Sequence, residues 1–156
     1  MHIEIAEFDH PDAQRLIEEV QQEYVGRYGR RDETPIDSGQ FSAPRGTFLL
    51  GYLAAEPVAI GGWRVYDPAE SEFADGDVEL KRMYVSPGAR GRGLARRLLA
   101  ELEERAAAAG HKRILLETGN RQPEAIALYR SAGYSGIPAF GPYRGDPDSV
   151  CFAKRL

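Results

Sequence analysis

The stretch that most restricts how this chain can fold is residues 79–99, ELKRMYVSPGARGRGLARRLL. An apolar-rich run ends at Val85, the chain turns through Ser86-Pro87-Gly88, and a leucine-spaced helical pattern follows from about residue 91 to residue 109, closed by Gly110. A second apolar run, 113–117, comes directly after. Strand, helix, strand in that order is a crossover unit, which is normally right-handed and feeds a parallel strand pair. Gly91 and Gly93 fall in the expected opening turn of the helix. Each glycine inside a helix costs about 1 kcal/mol relative to alanine, so a pair of them predicts backbone that comes close to a ligand. A helix start presents unpaired N–H groups and the positive end of the helix dipole, which suit a phosphate. Six basic residues (Lys81, Arg82, Arg90, Arg92, Arg96 and Arg97) and no acidic ones lie between Leu80 and Arg97, in a chain whose net charge is −4. The same cluster also fits a solvated helix face. The acidic total argues against a general nucleic-acid binder.

Around this unit the pattern predicts one α/β domain over residues 1–156, a length suited to a single core. Residues 2–7 read as a first strand, and Asp9 to Asp12 with Pro11 as a helix start. Leu16, Ile17, Val20, Tyr24 and Tyr28 follow at helical spacing. Residues 29–46 read as a mobile polar loop, with a short helix, on the substrate side. Runs 47–54 and 58–66 form a hairpin around 55–57, residues 67–76 a turn, and 77–85 a third strand. Final strands at 134–139 and 150–154 complete a mixed, mostly antiparallel sheet of about six to seven strands flanked by helices. No run approaches the roughly 20 apolar residues of a membrane span, and Met1-His2-Ile3-Glu4-Ile5 lacks a signal peptide's layout, so the expected location is the cytoplasm. Cys151, the one cysteine, reads as core filler. His2, His10 and His111 lack ligand spacing, and no metal is expected.

Further on stands LETGNRQPEAIALYRSAGY, residues 116–134. Pro123 suits a first helical turn and Gly133 a helix end, while Ala125, Leu128, Tyr129 and Ala132 share one helical face. Together with Arg90-Gly91-Arg92-Gly93-Leu94-Ala95 and the preceding Val85-Ser86-Pro87, this resembles the GNAT family of N-acetyltransferases over roughly residues 77–134. The resemblance implies the acyl-CoA N-acyltransferase fold and acetyl-CoA as cosubstrate. It implies that Arg90, Gly91, Arg92, Gly93, Leu94 and Ala95 hold the diphosphate. The main chain of Met83, Tyr84 and Val85 would hold the pantetheine arm, and an amide of that strand would polarise the carbonyl. The family's cofactor-binding Asn falls at Gln122 here, with Asn120 two residues out of register.

Transfer from a thioester to an amine needs a neutral amine, a polarised carbonyl and a proton for the thiolate. The resemblance assigns the proton to Tyr129, which would face the sulfur and also count among the cofactor contacts. For the base it offers both Glu79, six residues before Val85, and Glu117, twelve before Tyr129. The structural alternative for each is an ion pair with Lys81, Arg82 or Arg113. Residues 140–149, with Tyr143 and Asp146 between glycines, read as a substrate-shaping loop. Acidic loop residues favour a small cationic amine as acceptor, such as a polyamine, an amino acid or an aminoglycoside-like antibiotic, over an acidic one. Two other readings stay open: an acetyl-CoA-binding regulator of the same fold, and a protein N-terminal or lysine acetyltransferase. Homodimers are common in the family, but no segment here specifies an interface.

Overall fold

The computed structural model describes residues 1–66 and 73–156. Its elements run β1 (His2–Ile5), α1 (Pro11–Tyr28), a 3₁₀ turn (Ser38–Phe41), β2 (Gly46–Leu53), β3 (Glu56–Val65) and β4 (Asp77–Val85). A second 3₁₀ turn (Pro87–Ala89) leads to α2 (Leu94–Ala108), β5 (Arg113–Gly119), α3 (Pro123–Ser131), β6 (Ser135–Ile137) and β7 (Ser149–Arg155). Of the expected turn at 67–76, residues 67–72 lie outside the described residues, and the described remainder closes with Asp77 N–H donating to the Ala74 carbonyl at 3.2 Å.

The strands form one sheet in the order β1-β2-β3-β4-β5-β7-β6. Only β4 and β5 are parallel among the described strands, and α2 is the crossover between them. Strands β2 to β4 read as continuous apolar runs because helices cover both faces. Leu49, Ala59 and Val85 pack with Leu98, Leu99 and Leu102 of α2, while Leu50, Ile60 and Tyr84 pack with Leu16, Ile17 and Val20 of α1. Adjacent residues of a strand thus feed two different cores, as the alternation of side chains requires. No described helix is long and apolar enough to cross a membrane.

Two expectations need adjusting. Helix α2 starts at Leu94, so Gly91 and Gly93 precede it rather than opening it. The segment 29–37, read as mobile, is pinned: Gln21 of α1 clamps the Asp32 main chain by bonds of 3.1 and 2.8 Å, and Arg64 Nη1 donates to the Pro35 carbonyl at 3.1 Å.

Arg64 also ties β3 to β4. Its Nε and Nη2 both lie 2.9 Å from Oε1 of Glu79, and the two residues are only 8% and 4% exposed. Removing one member of such a pair leaves a buried charge uncompensated, at a cost of about 3–5 kcal/mol. Arg64→Ala is therefore expected to lose about that much stability in urea unfolding, and Arg64→Met with Glu79→Met far less. Equal losses in the two variants would contradict this reading of the pair.

Candidate active site

Strands β4 and β5 stay paired only over Asp77, Val78 and Glu79, opposite Arg113, Ile114 and Leu115. Beyond that point they part, and a cleft of roughly 860 Å³, measured out to open solvent, enters the sheet. Its walls are Leu80 to Met83 on one side and Leu116 to Gly119 on the other, with Tyr24 and Tyr28 of α1, Gln122, Ala125 and Tyr129 of α3, and Tyr143 and Asp146 of the β6–β7 loop. A bulge in β4 helps open it. Ile60 faces Tyr84 and Gly62 faces Lys81, so both Arg82 and Met83 stand opposite Gly61 alone. Arg82 takes a left-handed backbone, φ 59°. That costs a non-glycine residue about 1 kcal/mol or more and re-aims its side chain.

The bulge puts two consecutive side chains, Lys81 and Arg82, on the same partner. Asp32 lies 3.4 Å from Lys81 Nζ and is ion-paired to Arg82 Nη1. Its carboxylate also accepts from Thr34 N (2.9 Å), Thr34 Oγ1 (2.6 Å) and Tyr143 OH (3.1 Å). Burial alone would raise the Asp32 pKa, but Lys81 and Arg82 outweigh it and hold the group ionised, far below the usual range. Arg82 is 7% exposed, and its Nε–H is buried with no hydrogen-bond partner. An unmet buried donor costs about 1–3 kcal/mol and calls for an explanation.

Of the two candidate bases, Glu117 lines the cleft and Glu79 does not; the latter is engaged by Arg64 behind it. Burial pushes Glu117 up to about 7, with Lys81 lowering it and Asp32, Glu79 and Asp146 raising it. A carboxylate poised there can accept a proton at neutral pH, which an ordinary glutamate does poorly. Tyr129 is buried against Tyr134 and Phe152, ring centroids 5.6 and 6.5 Å away, and its hydroxyl has no hydrogen-bond partner among the described residues. Burial, and then the neighbouring Tyr24, hold its phenol well above the ordinary value, so it stays a proton donor.

Beyond the end of β4, the turn into α2 presents exposed main chain. Gly91 and Gly93 have φ of 77° and 75°, and α2 has no side-chain cap. A Cβ at either glycine would meet nothing within 4 Å, so glycine serves the left-handed backbone here rather than a tight fit to protein. Arg92 and Arg97 make no ion pair among the described residues, whereas Arg90 is engaged: its Nε donates to the Val85 carbonyl (2.8 Å) and its Nη2 to Glu23 (2.7 Å). Leu94 and Ala95 supply the first helical amides. Met83 lines the cleft, while Tyr84 and Val85 turn their side chains into the two cores.

The far end of the cleft is crossed by the end of α1. The Tyr28 hydroxyl accepts from Arg121 N (3.2 Å) and Gln122 Nε2 (3.3 Å), and Arg27 pairs with Glu124. The Tyr28 hydroxyl lies so close to Gly119 that a Cβ there would overlap it. Gln122 lines the cleft; Asn120 is exposed, with its N–H on the Asp148 carbonyl (2.8 Å). Sequence reasoning missed Asp32. Its only trace in the sequence is one carboxylate after two arginines in an irregular loop, and nothing local ties it to residues about fifty positions away.

The family model described as "Acetyltransferase (GNAT) family" matches residues 13–134. The chain is 36% identical over 142 residues to an "IAA acetyltransferase" of Azospirillum brasilense, covering 91% of this chain and 89% of that protein. It is 33% identical to the uncharacterized N-acetyltransferase YjgM of Escherichia coli, covering 83% and 78%. Among solved structures, a Klebsiella pneumoniae chain provisionally described as an acyl-CoA N-acyltransferase aligns at a TM-score of 0.77 and 31% identity, covering 99% of this chain and 97% of that one. The PaiA N-acetyltransferase of Thermoplasma acidophilum, solved with coenzyme A, aligns over all of both chains at a TM-score of 0.72 but 15% identity, a likeness of fold.

The raised Glu117 pKa has a consequence for stability. In the unfolded chain the group ionises near 4.5 and in the folded chain near 7. The folded state thus holds a proton the unfolded state has lost, and stability falls as pH rises from the first value through the second. Glu117→Gln removes that penalty. Its stability is expected to match the parent's at pH 5 and exceed it by about 1–2 kcal/mol at pH 8, after discounting for partial exposure. Thermal unfolding at both pH values checks this, and a gap that ignores pH would refute it.

Proposed function

The chain belongs to the GNAT family of acetyltransferases, and from that premise we propose that it moves the acetyl group of acetyl-CoA to the primary amine of a small molecule within a ternary complex. The observation that carries this reading is the parting of β4 from β5, which opens a cleft lined by a buried tyrosine beside a strand that leads into an uncapped helix start. The amides of Gly91 to Ala95, with Arg92, would hold the diphosphate. The main chain of Met83 to Val85 would run beside the pantetheine arm, with the Val85 carbonyl already taken by Arg90. Gln122 fits the cofactor side of the cleft, though its amide is partly committed to Tyr28. Acetyl-CoA supplies the acyl group and a thiolate leaving group.

The chain's own groups then divide the work. Glu117 takes the proton from the acceptor nitrogen, directly or through a water. A β4 amide at the bulge donates to the carbonyl oxygen as negative charge develops there, which preorganised donors do best. A C–N bond forms, the C–S bond breaks, and Tyr129 OH supplies the proton to the departing sulfur. Glu79 is a structural ion-pair member in this scheme. The relative named IAA acetyltransferase supports a small acceptor. The absence of a membrane-spanning helix among the described residues is compatible with a place in the cytoplasm.

Coenzyme A release with a panel of amines tests the reading. Turnover, with acetyl-CoA at one hundred times its dissociation constant adding about 2.7 kcal/mol of stability, is expected. Neither turnover nor stabilisation would end it. Tyr129→Phe is expected to lower kcat by about 10²-fold or more while acetyl-CoA still stabilises the fold. Stabilisation without turnover of any acceptor by the parent would instead favour an acetyl-CoA-binding regulator.

A further inference from the structure

The polar groups on the acceptor side of the cleft are unequally spent. Each of the three loop carboxylates that line the cleft, Asp32, Asp146 and Asp148, already has a cation or donor. Asp32 faces both Lys81 and Arg82, Asp146 is paired with Arg30 and accepts from Asp148 N at 2.8 Å, and Asp148 lies 3.9 Å from Arg121. A second cationic centre on an acceptor would therefore find no free carboxylate among them. Donors, by contrast, are left over. Two cations share the single carboxylate of Asp32, and that carboxylate is crowded by three further donors from Thr34 and Tyr143. Lys81 has three N–H donors, of which Asp32 at 3.4 Å engages one. Arg82, in the cleft wall and 7% exposed, keeps its Nε–H without a partner. Unspent charged donors buried in a cleft call for an oxygen acceptor, and an anion satisfies them best.

This wall belongs to the same cleft as Glu117. We infer that the acceptor is a zwitterion, an amino acid or another amine carrying a carboxylate, held with its carboxylate on Lys81 and Arg82 at the β4 bulge and its amine toward Glu117. The inference rests on the transferase reading and, among the small amines expected from the acidic loops, selects the amino acid over the polyamine and the aminoglycoside-like amine. It also gives the strained backbone of Arg82 a purpose, since a regular strand would turn Lys81 and Arg82 to opposite faces. Acetylation removes the positive charge of the amine, so the product leaves as an anion. A preceding reaction would have to furnish a free amino acid or a carboxylated amine.

Rates of coenzyme A release for the twenty L-amino acids, for the matching amines that lack the carboxylate, and for spermidine decide the matter. In the best matched pair the amino acid is expected to have at least tenfold higher kcat/KM. Lys81→Met is expected to raise KM for that amino acid at least tenfold more than for its amine partner. Arg82 is left intact because it holds the bulge. Equal or better turnover of the amines or spermidine, no acetylation of any amino acid, or an equal loss on both members of the pair in Lys81→Met would each overturn the inference. If amines are acetylated without regard to a carboxylate, only this inference fails; if acetyl-CoA does not bind at all, the transferase reading fails with it.

Discussion

Two neighbouring parallel strands that stop hydrogen bonding after three residue pairs leave main-chain groups that must find partners elsewhere. The rest of this molecule is arranged around that gap. From Leu80 onward β4 has a partner strand on the β3 side only, and the bulge at Arg82 and Met83 interrupts even that ladder. A gap of this kind would collapse unless something held it open. Here α1 and the segment after it reach over one face, α3 places Tyr129 against the other, and Tyr28 spans the end to meet the turn after β5. An open, backbone-lined cleft in an otherwise two-sided, well-packed sheet is a place for an extended ligand that brings its own hydrogen-bonding groups.

The electrostatics follow the same division. Behind the cleft Glu79 and Arg64 neutralise each other and join strands. Within it, Asp32 locks Lys81 and Arg82 in place while Glu117 is left with partial desolvation and a shared cation, enough to bring its proton affinity near neutrality. Two glutamates one strand apart thus serve different ends because one has a dedicated guanidinium and the other does not. Asp32 further links loops distant in sequence, since Tyr143 of the β6–β7 loop donates to it.

Much of this was legible in the sequence. The apolar runs marked β2 to β5, and the Gly-Arg segment and the residues around Tyr129 marked the turn before α2 and the helix α3, because each depends on residues close together in the chain. The strand limits moved by only a few residues. What local pattern could not reveal was long-range: that Glu79 would meet Arg64, that Asp32 would cross to Lys81 and Arg82, and that the loop after α1 would be clamped by Gln21. The left-handed Arg82 was equally hidden, since no glycine marks that bulge. At Gly91 and Gly93 the left-handed backbone was hidden as well, since glycine in the sequence does not say which conformation calls for it.

The account turns on a cosubstrate lying along the gap between β4 and β5, and a crystal structure of the chain with acetyl-CoA measures that directly. The account predicts the diphosphate on the main-chain amides of Gly91 to Ala95, the pantetheine arm between Met83 and Leu116, and the sulfur within hydrogen-bond reach of the Tyr129 hydroxyl. Density for the cofactor elsewhere on the surface, or strands that close on each other with the gap filled by side chains, would contradict it.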